Sequence, residues 1–296
     1  MKALVFGSVN IDHVYQLPHP LRPGETLSST AYRRTAGGKG LNQAIALARA
    51  GQQVSFAGGV GQDGLFLRDA LAQEGVDTAC LRVTQEPTGH AIIHVDDQGG
   101  NAIVLYGGAN QMVDQALITA ALDTLRPGDL VLLQHEINLV EEIIGEAHAR
   151  GLTVALNPSP SVPEMASWPL EKVDWLLLNE VEGEDLTGCA DPEEAINVLL
   201  ARYPACQVVL TLGDKGAVYG HGDIRLRQAA MPVKAVDTTA AGDTFTGYFL
   251  QAVLSGRGIQ EALKRAACAA AMAVERPGAS ASIPTHNEVE ARLGEM

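Results

Sequence analysis

Short apolar runs alternating with helical patterns constrain the fold of this chain more than any other feature of its sequence. Ala3–Phe6, Val54–Ala57, Leu130–Gln134, Thr153–Leu156, Trp175–Leu178 and Val208–Thr211 are brief and nearly continuous in apolar residues. A strand covered on both faces reads this way, whereas a half-exposed strand alternates. Between many of these runs lie the helical patterns Leu41–Ala50, Leu65–Glu74, Val140–Arg150 and Pro192–Arg202. Several end at a glycine suited to a left-handed cap, as at Gly51, Gly75 and Gly151. Two more helices, about Asp243–Ser255 and Ile259–Glu275, end the pattern. The expected class is α/β, a doubly wound, mostly parallel sheet covered by helices on both faces. The 296 residues contain no long linker or repeat, so a single domain over 1–296 is expected.

One region departs from that rhythm. His90–Val95 and Asn101–Tyr106 alternate across the polar turn Asp96-Asp97-Gln98-Gly99-Gly100, which predicts a hairpin. Val9–Leu17 and Ala31–Thr35 read as further short strands. The expectation is a small antiparallel β lid, with strands inserted from about 9–17, 31–36 and 90–107. Its apolar residues Ile92, Ile103 and Leu105 are more than a thin layer can bury, so a homodimer through the lid is expected.

Composition narrows the partners. The formal net charge is −14, which argues against nucleic acid or an anionic membrane surface. Cys80, Cys189, Cys206 and Cys268 lack metal-ligand or redox spacing and read as reduced thiols. No signal-peptide or membrane-spanning run is visible, and a cytoplasmic protein is expected.

Several clusters could carry chemistry. In Val236-Asp-Thr-Thr-Ala-Ala-Gly-Asp-Thr-Phe-Thr-Gly-Tyr248 a small turn, Ala240-Ala241-Gly242, opens a helix with Asp243 at its entry. Free N–H groups at a helix start form an anion site, and a carboxylate there can take a proton from a hydroxyl. The same residues are also ordinary helix starters. Gly37-Gly38-Lys39-Gly40-Leu41-Asn42 suggests backbone close to a ligand, or simply a glycine-rich turn. Asn10 and Asp12 point to one face of an extended segment and could hold adjacent hydroxyls. Asn179-Glu-Val-Glu182 is either a capping box or an outer-shell set for Mg²⁺. Gly59-Val-Gly61-Gln-Asp-Gly64 matches a dinucleotide fingerprint, although it follows the second strand-like unit and not the first. His90 and His94 would share a strand face and read as a surface pair.

Taken in order, these clusters resemble the ribokinase family of carbohydrate kinases over essentially the whole chain. Gly7-Ser-Val-Asn-Ile-Asp12 is similar to the family's sugar-contact strand, and Thr35-Ala-Gly-Gly-Lys-Gly-Leu-Asn-Gln-Ala44 to its first signature. Val60-Gly-Gln-Asp-Gly64, Gly107-Gly-Ala-Asn110, Leu132-Leu-Gln-His-Glu136 and Leu156-Asn-Pro-Ser-Pro160 also resemble family elements. So do Leu178-Asn-Glu-Val-Glu182 and the nucleotide loop Thr211-Leu-Gly-Asp-Lys-Gly216. The resemblance implies ATP-dependent phosphorylation of a sugar's primary hydroxyl, with D-ribose as the expected acceptor. Deoxyribose, a ketose or a nucleoside are alternatives. A dehydrogenase built on Gly59–Gly64 and a non-catalytic sugar-binding protein are the rivals from other classes.

The resemblance also implies roles. Asp243 is the base, and the N–H groups of Ala240, Ala241, Gly242 and Asp243 hold developing negative charge. Asn10, Asp12, Gly38, Lys39, Asn42 and Glu136 surround the sugar. Asn179 and Glu182 organise Mg²⁺ through water, while Thr211, Gly213 and Gly216 line the ATP side. Asp237, Thr239, Ala273, Arg276, Gly278 and Ser282 resemble a loop for K⁺. Ile11, His13 and His135 stand beside the sugar contacts and leave acceptor identity open.

Overall fold

The continuous apolar runs all become strands of one sheet, because each carries side chains that need cover on both faces. The computed structural model describes residues 1–96 and 100–295. In chain order its strands are β1 (Ala3–Phe6), β2 (Asn10–Leu17), β3 (Ala31–Gly37), β4 (Val54–Gly61), β5 (Asp77–Thr84), β6 (Gly89–Asp96) and β7 (Asn101–Tyr106). They continue with β8 (Leu130–Gln134), β9 (Thr153–Asn157), β10 (Trp175–Asn179), β11 (Gln207–Thr211), β12 (Ala217–His221) and β13 (Ile224–Gln228). The first α-helices are α1 (Lys39–Arg49), α2 (Leu65–Gln73), α3 (Gln115–Leu122), α4 (Val140–Ala149) and α5 (Glu180–Thr187). The last are α6 (Pro192–Arg202), α7 (Ala241–Leu254), α8 (Ile259–Val274) and α9 (His286–Gly294).

Among the described residues the large sheet runs β13-β12-β11-β10-β9-β8-β1-β4-β5. Neighbours from β11 to β5 are parallel, and β12 and β13 extend the other edge antiparallel. β1 sits between β4 and β8: the chain builds outward from β1 through β4 and β5, then returns to add β8 on the other side, so the strand order reverses at β1. Such a switch point opens a crevice beyond the carboxyl ends of the strands. Alternate strand residues feed two cores. Val5, Phe56, Leu132 and Leu177 pack with residues of α1, α2, α7 and α8. Phe6, Leu133, Leu178 and Leu210 pack with residues of α3, α4 and α6 on the other face. Each such fully buried side chain contributes about 1.5–3 kcal/mol, so the rigid part of the molecule lies directly beneath the crevice.

Strands β5, β12 and β13 and helices α3 and α9 were not legible in the pattern, and α5 only as the capping box at Asn179–Glu182. β5 and β13 are only partly buried, which breaks the continuous apolar signature. β4 runs on through glycines that mimic a nucleotide turn. A Cβ at Gly59 would stand 2.1 Å from the Ala109 carbonyl oxygen, and one at Gly61 2.6 Å from the Glu86 carbonyl oxygen. Protein backbone therefore occupies the space a pyrophosphate would need, and the dinucleotide match is a packing feature.

The second sheet has the order β3-β2-β6-β7. Its outer pairs are antiparallel and its central pair, β2 with β6, is parallel. The expected strands are present, and Asp97, Gln98 and Gly99 of the expected turn lie outside the described residues. The register aligns Asp12 with Ala91 and Ala91 with Leu105, so these three share a face with Asn10. The opposite face gathers His13, Tyr15, Tyr32, His90, His94 and Tyr106 in ring contacts of 5.0 to 6.2 Å between centroids. Ile92 lies on that aromatic face, while Ile103 and Leu105 lie on the face of Asp12. His90 and His94 do share a face, each against a tyrosine ring.

Candidate active site

Helix α7 starts without help. Ala240 stands at its N-cap in the left-handed region, with φ 60° and ψ 11°, and no side chain caps the helix. An alanine held there costs roughly 1 kcal/mol. Packing behind it sustains the strain. One turn beyond Asp243, a Cβ added at Gly247 would stand 2.4 Å from the Ala46 side chain, so α7 and α1 lie in close contact. The Thr244 N–H closes the first helical bond onto the Ala240 carbonyl at 2.8 Å. The Ala241 N–H is committed to the Thr238 carbonyl at 3.3 Å, which removes it from the expected cradle. Gly242 and Asp243 supply first-turn N–H groups that have no carbonyl four residues back within the helix.

The close approach of α1 brings two amides to Asp243, which is only 8% exposed. Asn42 Nδ2 donates to its Oδ2 at 3.0 Å, and Gln43 Nε2 donates to its Oδ1 at 2.9 Å. Gln43 also donates to Asn157 Oδ1 at 2.9 Å, and its own oxygen accepts from Gln134 Nε2 at 2.6 Å. Asn157 Nδ2 donates to the Leu177 carbonyl at 2.9 Å. Gln43, Gln134 and Asn157 were not among the expected site residues. The sequence signals are a polar residue closing an apolar strand, since Gln134 ends β8 and Asn157 ends β9, and the place of all three inside motifs that resemble family elements.

At the end nearer the small sheet, Ser8 donates its hydroxyl to Glu136 Oε2, which also accepts from the Lys39 N–H at 3.2 Å. Asn10 Oδ1 accepts from Asn110 Nδ2 at 2.7 Å, and Asn110 holds the Val9 backbone from both sides. Burial first, and the Glu136 charge second, push the Asp12 carboxyl up to about 7. The glycines of Gly37–Gly40 serve the chain itself. A Cβ at Gly40 would stand 2.5 Å from the Ser8 nitrogen, and Gly38 has φ +97° with the Asn10 nitrogen 2.9 Å from its Cβ position. They let α1 rest on the segment after β1, and α1 in turn brings Lys39 and Asp243 to one cavity and Asn42 to the Asp243 carboxylate.

Two adjoining cavities meet at the start of α7. One, of about 230 Å³, is lined by Lys39, Asn157, Asn179, Glu182, Thr211 and Asp243, with the Ala240–Gly242 turn. The other, of about 450 Å³, has walls that include Gly213, Gly216, Met231, Val233, Phe245 and Ala271. Thr211, Thr238, Ala241 and Gly242 line both. Asn179 and Glu182 form a complete capping box on α5, and the buried Glu182 carboxylate faces the smaller cavity. The two readings of that motif are therefore compatible. The expected cation loop is also drawn together. Asp237 accepts from the Thr239 N–H at 2.9 Å and hydroxyl at 2.6 Å, and from the Gly278 N–H at 2.9 Å. Burial works to raise its pKa, but these bonds outweigh it and hold the carboxyl below the usual range. Arg276 turns away to pair with Glu288, while Ser282 is buried and donates to the Ala279 carbonyl.

A carboxylate on a polar cavity, at a bare helix start whose turn also lines an adjoining apolar cavity, is the arrangement of a phosphotransferase with an alcohol acceptor. The family model of the pfkB family carbohydrate kinases matches residues 1–286, and the chain belongs to that family. It is 39% identical to the ribokinase of Haemophilus influenzae over 294 residues, covering 96% of this chain and 95% of that protein. The crystal structure of a ribokinase from Cryptococcus neoformans in complex with ADP superposes with a TM-score of 0.86 at 37% identity, covering 98% of this chain and 99% of that one. The structure of Arabidopsis thaliana ribokinase complexed with ribose and ATP gives a TM-score of 0.85 at 31% identity, with 99% and 98% covered.

Proposed function

We propose that this kinase transfers the γ-phosphoryl group of ATP to the primary hydroxyl of D-ribose, forming D-ribose 5-phosphate. The observation that carries the proposal is Asp243 at the uncapped start of α7, on the polar cavity and next to the Ala241–Gly242 turn that both cavities share. The apolar 450 Å³ cavity suits a purine, with Thr211, Gly213 and Gly216 along its edge. The phosphates then run through the polar cavity past Lys39. Asp243 accepts the proton of the attacking hydroxyl. The Gly242 and Asp243 N–H groups and the dipole of α7 stabilise the charge that develops opposite it. Asn42 Oδ1 is buried and has no protein partner among the described residues, which leaves it an acceptor for a sugar hydroxyl. Asn10, Asp12 and Glu136 take the remaining hydroxyls from the lid side. Closure of the lid excludes water, the competing acceptor.

Mg²⁺ fits the oxygen donors on the smaller cavity, with Glu182 and Asn179 orienting its waters. When bound, it neutralises charge on the phosphates. Asp237 links two backbone segments into an oxygen-rich loop just before the α7 turn, which fits a K⁺ held with Thr239 and the backbone near Ala273, Gly278 and Ser282. When bound, such an ion adds positive charge beside the anion site.

Among the described residues no helix is long and apolar enough to cross a membrane. The four free cysteines and a nucleotide substrate fit the cytoplasm. Exposed Ile103, Val104 and Leu105 on both faces of β7 favour a homodimer in which two lids pack together, and sedimentation as a monomer at micromolar concentration would remove that assignment. The reaction is tested by ADP release with ribose, 2-deoxyribose, fructose and adenosine, each with and without K⁺. Ribose should give the highest kcat/KM and K⁺ should raise it. A higher value for another acceptor overturns the choice of ribose.

A further inference from the structure

The carboxylate of Asp243 is held by a chain of amides whose directions are dictated from one end. The Leu177 carbonyl is backbone and can only accept, so Asn157 must turn its Nδ2 toward it, at 2.9 Å. That leaves Asn157 Oδ1 facing Gln43, so Gln43 must present Nε2, at 2.9 Å. The same Nε2 reaches Asp243 Oδ1 at 2.9 Å. Gln43 Oε1 then faces the other way and accepts from Gln134 Nε2 at 2.6 Å. Gln43 and Gln134 are both 0% exposed, so bulk water cannot replace either bond. The donors stand on α1, β8 and β9, all packed in the rigid part of the fold, and the acceptor opens α7.

We infer that Gln43, with its amide oriented by Asn157 and Gln134, is a positioning residue that fixes the Asp243 carboxylate for attack by the hydroxyl. The inference rests on the phosphoryl-transfer proposal above. Asn42 holds Asp243 Oδ2 and keeps a buried Oδ1 without a protein partner among the described residues, whereas both polar atoms of the Gln43 amide are already bonded within the protein, to Asp243, Asn157 and Gln134. Its contribution should therefore appear in turnover and not in binding. Gln134 touches neither base nor cavity wall, and its Nε2 gives Gln43 Oε1 its bond at 2.6 Å, which holds the far end of that amide in place. A base misplaced by a fraction of an ångström loses much of its effect.

The test uses the full-length enzyme, steady-state ADP release at varied ribose and ATP, and thermal unfolding of every variant. Gln43→Met keeps volume and removes the donor, and it should lower kcat about 10- to 100-fold, the value of a hydrogen bond to a charged group. KM for ribose and for ATP should stay within about twofold, because no ground-state contact is lost. Gln134→Met should lower kcat about tenfold. The double variant should be no slower than Gln43→Met alone, since both act through one bond. Independent structural damage would instead add. Losses that add, or a Gln43→Met enzyme with parental kcat while Asp243→Asn is inactive, overturn the inference and leave the reaction intact. A parent without ribose-dependent ADP release overturns both. Should Gln43→Met fail to fold, Gln134→Met decides alone, and parental kcat in that variant overturns the inference.

Discussion

Two helices begin on the wall of the same cavity, and their starts are built in opposite ways. At α5, Asn179 accepts from the Glu182 N–H at 3.0 Å while Glu182 accepts from the Asn179 N–H at 3.0 Å. Asn179 Nδ2 gives Glu182 Oε1 a further bond at 3.0 Å. At α7 no side chain caps the helix, and a strained Ala240 makes the turn. The capped start has used its donors on itself and offers the cavity only a fixed negative charge. The bare start keeps donors for a ligand and places its carboxylate beside them. One end is built for stability and cation chemistry, the other for an anion and a proton.

The largest effect should come from breaking the bare start. Asp243→Asn should reduce kcat by about 10³-fold, within the range for loss of a general base. Ribose affinity, read by calorimetry, should change little. A variant with near-parental turnover would remove the base from α7 and with it the contrast between the two ends. Breaking the capped start should act differently. Glu182→Gln keeps the volume of the box but turns its Nε2 against one of the two Asn179 donors, so the melting temperature should fall by a few degrees, and it also removes the charge facing the cavity. The Mg²⁺ concentration for half-maximal activity should rise about 10- to 100-fold, as for loss of an outer-shell partner. A lower melting temperature with an unchanged Mg²⁺ requirement would show that α5 is merely capped.

How much of this could be seen in the sequence follows from what each signal depends on. The class of fold was legible because Leu130–Gln134 or Trp175–Leu178 can be covered only on both faces. Strand β5 was not, since half-burial along a sheet edge leaves no clean period. In the site, Asp243 and the Ala240–Gly242 turn were legible because a helix start carries its chemistry locally. Gln43, Gln134 and Asn157 were not, because their roles exist only where α1, β8 and β9 meet. The glycines at Gly37–Gly40 left two readings open. Glycine reports close approach, and the sequence does not say whether a ligand or the Ser8 backbone is what approaches.

Asp12 sharpens the comparison, because it is a site carboxylate at neither helix start. Its pKa lies at about 7 in the folded chain, raised first by burial and then by Glu136. The folded state therefore binds more protons than the unfolded state from about pH 4 to 7, and stability falls as pH rises through that window. Asp12→Asn cannot ionise. Its melting temperature should gain on the parent as pH rises from about 4 to 7, by a few degrees in total. The gain should then level off. A difference independent of pH would mean that Asp12 ionises at little cost. Ribose KM should rise in the same variant while ATP KM holds.

The smallest effect concerns the strain that makes the bare start possible. Ala240 sits at φ 60°, where glycine is at ease and alanine is not. Ala240→Gly releases that strain but also frees the unfolded chain, and the two terms oppose each other. The N-cap preference for glycine over alanine tips the balance, so stability should rise by about 0.5 kcal/mol. Activity should move the other way. A looser turn holds the Gly242 and Asp243 N–H groups less firmly, and kcat should fall about two- to fivefold as preorganisation is lost. No gain in stability would show that the packing of α7 on α1, and not the residue at the turn, carries the strain. A gain in both stability and kcat would show that the cradle does not depend on a rigid turn.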